Sequence, residues 1–359
     1  MSESNLLAID LAKSSFQAHL AAPNGRALVR KKLSRGALAD FVAKSDATVV
    51  AMEACAGANY WGRRFTALGK EVKLLAPQYV KPFVKTNKND ANDAEAIAEA
   101  AARSSMRFVP LKTVAQQDIS SLHCVRSRLV AGRTALTNQI RGLLTEYGVV
   151  LAKGHAKLRA CLLELRDETA FRGDLSPFML RKLEELSQEL TSFNERIASC
   201  DAEVKQLCDQ DQLSRELTKI VGIGPLTATA LRALSGDMAQ FKNGRQFAAF
   251  IGLVPRQNST GGKTRLLGIS KRGDPYVRTL LIHGARAALI SAHKRGDYRS
   301  QWANRLKEAK GMNRAAVALA NRNARTVFAL LRHGRPFDAD RPGRASRSDV
   351  APRREATIG

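Results

Sequence analysis

Cysteine is scarce and unpatterned. The chain has five, at positions 55, 124, 161, 200 and 208. The number is odd and no two stand as Cys-x-x-Cys, which argues against a disulfide framework and a zinc finger. Long apolar runs are missing too: none approaches the roughly 18 residues that a membrane-spanning helix needs. Met1 to Asn5 are polar and carry no Lys or Arg, so they do not read as a signal peptide. Acid is in deficit, 33 Asp+Glu against 58 Lys+Arg, a net charge of +25 over 359 residues. Such a surplus repels itself unless a polyanion neutralises it, and nucleic acid is the usual one. No membrane partner is expected.

What is present is a globular composition, 44% hydrophobic and 25% charged. The length suits two or three domains. The charge is uneven: residues 251–359 hold 23 basic and 7 acidic side chains, net +16, whereas 176–211 hold 4 and 8, net −4. The polyanion should therefore lie mainly against the C-terminal third, and 176–211 should face something else.

The first hundred residues alternate strand-like and helix-like patterns. Asn5–Asp10, Ser15–Leu20 and Ala27–Leu33 read as three short strands, with Pro23-Asn24-Gly25 turning between the last two. Ala47–Glu53 reads as a buried strand and Val72–Leu75 as another. Helices are expected over Gly36–Lys44, Tyr60–Leu68 and the alanine-rich Asp90–Ala102. Three meandering strands followed by alternating helices and strands suggest a ribonuclease-H-like α/β domain over 1–110. A Rossmann reading is weaker, because no G-x-G-x-x-G follows the first strand.

A helical linker is expected over 111–212. Met179, Leu183, Leu186, Leu190, Phe193, Ile197, Cys200, Val204 and Leu207 are spaced 4, 3, 4, 3, the a/d repeat of a coiled coil. The acidic outer face favours contact with another chain, hence a homodimer or homotetramer; the alternative is a helical hairpin within one chain. Residues 213–335 form a helix-rich C-terminal domain, and 336–359 read as a basic disordered tail.

Four carboxylates stand out. Asp10 and Glu53 end strands, and Asp90 and Asp93 are three apart near the start of a helix. In a ribonuclease-H-like order all four can converge at one edge of the sheet. Hard oxygen ligands select Mg²⁺ or Mn²⁺, and two such ions can clamp a phosphodiester. Taken singly, each is also explained as a turn or helix cap.

Ile220-Val221-Gly222-Ile223-Gly224-Pro225 looks like a helix–hairpin–helix, in which Gly222 and Gly224 let backbone N–H groups approach a phosphate. Next, Pro255–Arg265 holds the hydroxyls of Ser259 and Thr260 in a glycine-rich loop among Arg256, Lys263 and Arg265, with Lys271, Arg272 and Arg278 downstream. On composition alone this is a flexible phosphate-binding loop; a covalent serine would need such cations. His283, in an apolar helical run, reads as a packing residue, and nothing beside Cys55 suggests thiolate activation.

The blocks Ala8–Lys13, Met52–Cys55, Lys88–Ala94, Gly222–Gly224, Phe247–Gly252, Ser259–Gly262 and Gly268–Gly273 come in an order that resembles the DEDD transposases of insertion-sequence family 110, particularly its 1111 group. The resemblance spans roughly Asn5 to Asp338. It implies a RuvC-like N-terminal domain, a coiled-coil linker and a C-terminal domain bearing a serine, in a bacterial, cytoplasmic, nucleoid-associated recombinase. It further implies a structured guide RNA that pairs with donor and target DNA, and a tetrad of Asp10, Glu53, Asp90 and Asp93. The family's serine directly precedes a glycine, a place held here by Thr260; Ser259, one residue earlier, is the less hindered nucleophile and Thr260 the runner-up. A hydrolytic junction endonuclease and a non-catalytic nucleic-acid scaffold are the alternatives.

Overall fold

The computed structural model describes residues 4–85, 90–164, 174–236, 238–334 and 336–338, and of Asp90 the backbone alone. The expected tail past Asp338 lies outside the described residues. The chain divides into two compact units, Met1–Gln117 with Leu234–Asp237, and Asp118–Ala233 with Met238–Gly359.

In the first unit the order is β1 (Leu6–Leu11), β2 (Ser15–Ala21), β3 (Ala27–Ser34), α1 (Leu38–Lys44), β4 (Val49–Glu53), α2 (Ala58–Ala67), β5 (Glu71–Leu75), α3 (Pro77–Val80), α4 (Asp90–Ala101) and β6 (Phe108–Val109). The strands form one sheet in the order β3-β2-β1-β4-β5-β6. β1, β4 and β5 run parallel; β2, β3 and β6 join antiparallel. This agrees with the ribonuclease-H-like reading.

Alternation along the strands divides the core in two. Leu7, Ile9, Val50 and Met52 pack with Leu38, Val42, Trp61 and Phe65 of α1 and α2. Ala8, Ala51 and Leu75 point the other way, onto Ala96, Ile97 and Ala100 of α4. Alanine on both sides lets α4 lie close against the sheet. β3 closes one side, exposed throughout except at Leu33.

The second unit comprises most of α5 (Val114–Glu146), then α6 (His155–Glu164), α7 (Pro177–Gln210), α8 (Gln212–Thr218), α9 (Pro225–Leu234), α10 (Gly244–Ile251), β7 (Pro255–Gln257), β8 (Leu266–Ile269), α11 (Pro275–Ser291), α12 (Tyr298–Lys310) and α13 (Met312–His333). Ser176 caps α7 by accepting from the Met179 N–H, with Pro177 at the first helical position.

The heptad stripe of α7 corrects the expected inter-chain contact. Met179, Leu183 and Leu190 pack with Leu136, Ile140 and Leu144 of α5 and Leu158 and Leu162 of α6, and Ile197 and Cys200 pack with Leu129. The helical hairpin buries the stripe within its own chain, the alternative to the inter-chain contact. Gly132 makes room for it: a Cβ there would lie 2.8 Å from the Phe193 ring. At the helix end Cys208 is buried in place of the expected Leu207.

Candidate active site

The last register pair between β1 and β4 is Ile9↔Met52, so Asp10 and Glu53 occupy the next positions, at the carboxyl ends of adjacent parallel strands. Ala8 and Ala51 face α4, and side chains alternate, so Asp10 and Glu53 share that face. Both are half-buried, as is Asp93 in the first turn of α4. Cys55 reports their proximity: burial pushes its thiol pKa up, and the Glu53 and Asp10 carboxylates push it the same way. A thiol so placed is not activated.

Lys85 is tied to α4 by charge. Lys85 Nζ lies 2.7 Å from Glu95 and 2.8 Å from Glu99, and Arg30 on β3 adds a 2.7 Å contact to Glu95. Lys85, first, holds the Glu95 carboxyl below its ordinary range. These contacts join Lys85 and β3 to the helix that carries Asp93. Asp10 and Glu53 offer carboxylate oxygens only, which fit a hard divalent cation in kind. Among the described residues, no group of three or more His, Cys, Asp or Glu gathers closely enough to hold a metal; the Asp90 side chain lies outside them.

The expected glycine-rich loop is a β-hairpin. β7 and β8 pair antiparallel, the Asn258 N–H donates to the Arg265 carbonyl at 2.9 Å, and Thr260 bridges to Lys263. Gly261 and Gly262 both have positive φ, +54° and +77°, which a two-residue turn of the hairpin type demands. The Gly-Gly pair was the available signal. Ser259 Oγ accepts from Gln257 Nε2 at 2.8 Å and from the Arg265 N–H at 3.4 Å. Both bonds are accepted, so its own proton points elsewhere. Thr260 flanks the turn, bridged to Lys263. Gln257 is thus a site residue that the sequence reading did not single out.

The basic side chains separate into two kinds. Arg256, Lys263, Arg265, Lys271 and Arg272 are exposed. Arg278 is not a free cation as expected: its Nη1 donates to the carbonyls of Ile251 at 3.1 Å, Arg272 at 3.4 Å and Gly273 at 3.5 Å. It clamps the end of α10 to the Lys271–Gly273 turn, where Lys271 adopts φ +55°. Gly252 and Gly273 serve the same closure, since a Cβ on either would overlap backbone across the junction, at Arg272 and Phe250. From α13, Asn321 Nδ2 donates to the Leu253 carbonyl at 3.1 Å.

Between α8 and α9, the Gly222–Gly224 turn lines an open groove of about 410 Å³ with Lys219, Ser291 and Arg295. Gly222 has φ +89°, and Ile220 and Ile223 anchor the turn in the core. His283 is exposed on α11, which corrects its reading as a packing residue.

Comparison with known proteins decides the lineage. Residues 7–149 match the family model of DEDD transposases of the IS110 type, described as "Transposase", and 214–301 match "Transposase IS116/IS110/IS902 family". The chain is 47% identical over 329 residues to a "Probable family 20 transposase" of Pseudomonas aeruginosa, covering 90% of this chain and 96% of that one. It is 47% identical to the "Transposase for insertion sequence element IS1111A" of Coxiella burnetii, covering 92% and 90%. The chain belongs to the IS110 family of transposases. A 41% identical relative, the "Transposase for insertion sequence element IS1328" of Yersinia enterocolitica, is covered over 98% of its length. The transposase is accordingly an enzyme, and its substrate is DNA. Among the described residues no helix is long and apolar enough to cross a membrane.

Proposed function

We propose that this transposase cuts and rejoins DNA strands with two sets of groups, the carboxylates Asp10, Glu53, Asp90 and Asp93 and the hydroxyl of Ser259, on DNA chosen by a structured guide RNA. The observation that carries the reading is the placement of Asp10 and Glu53 side by side on the face covered by α4. Ser259 is favoured over Thr260 because Gln257 and the Arg265 N–H orient its oxygen. The guide RNA rests on the family resemblance and on a charge of +25, ample for two polyanions.

The four carboxylates would hold Mg²⁺ or Mn²⁺, which when bound neutralises charge on the scissile phosphate. Ser259 Oγ forms a bond to phosphorus as one strand's P–O bond breaks; the serine proton leaves to solvent, and the departing deoxyribose oxygen takes one up. Attack by another strand's hydroxyl on the phosphoserine restores a phosphodiester and frees the serine. Arg256, Lys263 and Arg265 hold the flanking phosphates and offset the charge gathered at phosphorus.

The test uses the full chain with its co-purified RNA and duplexes bearing the element's ends. Ser259→Ala should abolish strand joining and the denaturation-resistant protein–DNA adduct, whereas Thr260→Ala should keep both. Asp10→Asn or Asp93→Asn should remove cleavage, as should a chelator. An adduct that survives Ser259→Ala but not Thr260→Ala moves the nucleophile by one residue. Cleavage that survives the double change points to hydrolysis, and activity untouched by the acid changes to a scaffold. Co-purification of no RNA defeats the guided part.

A further inference from the structure

The β7–β8 ribbon presents leucine where a hairpin of this kind has no need of it. Leu266 is 62% exposed and Leu267 38%, and every residue of β7 is exposed as well. Gln257 pairs with Leu266 across the strands, so the two share a face. Gln257 also reaches Ser259, two residues along the same strand direction, so Ser259 lies on that face too. An exposed apolar side chain therefore sits beside the candidate nucleophile.

What covers it is decided by its surroundings. From Pro255 to Gly273 the sequence contains no Asp or Glu and five exposed cations, Arg256, Lys263, Arg265, Lys271 and Arg272. An apolar protein surface would have to bury or displace that charge. A nucleic-acid groove offers both halves of the match, phosphates along its rims and base edges on its floor. A two-stranded ribbon fits the major groove of a duplex.

The ribbon is also held ready. Ser270 N–H donates to the Val254 carbonyl at 2.8 Å and Lys271 N–H to the Gly252 carbonyl at 3.2 Å, continuing the ladder to the α10 junction. A short isolated hairpin is marginal on its own, and this rooting removes an ordering cost from binding.

We propose that the β7–β8 ribbon docks into a groove of duplex DNA, laying Leu266 against the bases while Lys271 and Arg272 at its root, and the long side chains of Arg256, Lys263 and Arg265 reaching round from its other face, hold the bordering phosphates. The inference rests on the ribbon's place in the proposed strand-joining site. It adds a non-ionic contact, and that is what separates it from charge alone.

The experiment measures binding of the full chain to a duplex of about 40 base pairs at several salt concentrations. Leu266→Ser should weaken binding about tenfold with the salt dependence unchanged, because no counterion is involved. Arg265→Ala should weaken it and make the log–log slope shallower by about one. Circular dichroism and the denaturation midpoint of each variant should match the parent, since both side chains are exposed. Parent-like affinity for Leu266→Ser overturns the inference and leaves the cationic ribbon standing. Affinity retained by Leu266→Ser together with loss of self-association in sedimentation assigns the leucine to a second copy and overturns it too. If neither change alters binding, the ribbon does not touch DNA and the inference falls, while the choice of nucleophile is still decided by the adduct formed by Ser259→Ala and Thr260→Ala.

Discussion

Gly222 and Gly284 meet backbone to backbone. A Cβ on Gly222 would lie 2.8 Å from the Gly284 carbonyl oxygen, and one on Gly284 would overlap the carbonyl of Gly222. Gly224 has open space where its Cβ would go. Two glycines of one turn thus have different reasons to be glycine. Gly284→Ala should cost about 1–3 kcal/mol of stability through overpacking. Gly224→Ala should leave the denaturant midpoint nearly unmoved, yet weaken DNA binding if a phosphate approaches the 224 backbone. Denaturation and duplex binding on the same two proteins separate the roles.

The Arg278 clamp predicts a split between stability and salt dependence. Arg278→Ala removes the donor from three carbonyls and should cost about 1–3 kcal/mol, the range for charge-assisted hydrogen bonds. Its effect on DNA affinity should come with an unchanged salt slope, because the cation is engaged inside the chain. Arg272→Ala, at an exposed position, should lower affinity and reduce the slope by about one. A reduced slope for Arg278→Ala would place its guanidinium on a phosphate instead.

His123 gives the fold a pH dependence. Its Nε2 lies 3.0 Å from the Thr229 hydroxyl, which itself donates to the Pro225 carbonyl, so Nε2 carries the proton. Nδ1 then accepts from the Tyr276 hydroxyl at 3.0 Å. Burial, with Arg126 adding to it, lowers the His123 pKa to about 4. Between about pH 4 and the ordinary value of about 6.5 the unfolded chain binds the extra proton. Stability should therefore be full above pH 6.5 and fall toward pH 4 by up to about 3 kcal/mol. Denaturant midpoints from pH 7.5 to 4.5 test this, and His123→Gln should flatten the curve. Burial lowers His19 in the same direction, so some slope should persist.

The α7 stripe yields the fourth expectation. Leu183→Ala should cost about 2–5 kcal/mol, as a buried leucine does, and leave the sedimentation of the native chain unchanged. A change of oligomeric state at constant stability would return the stripe to the inter-chain role first assigned to it.

The first unit was legible because its signals are local. Strand alternation around Ala8 and Ala51 and the alanine-rich pattern of α4 fix both the elements and the face on which Asp10 and Glu53 lie. The direction of the α7 stripe was not legible: a heptad states that a partner helix exists, not whose it is. The hairpin escaped because β7 has three residues and β8 four, shorter than any window in which alternation can be read. Arg278 looked like its neighbours because its acceptors are carbonyls, one of them 27 residues away. Exposure of His283 turns on the rotation of α11, which its apolar neighbours alone do not set.

The outermost strand of the large sheet has one more consequence. β3 carries Arg30, Lys31 and Lys32 in succession on its exposed length, and β6, at the opposite margin, is two residues long. A charged rim on one side and a stub on the other offer a poor template for strand addition. The sheet is thereby protected from growing into aggregates through its open hydrogen-bonding groups.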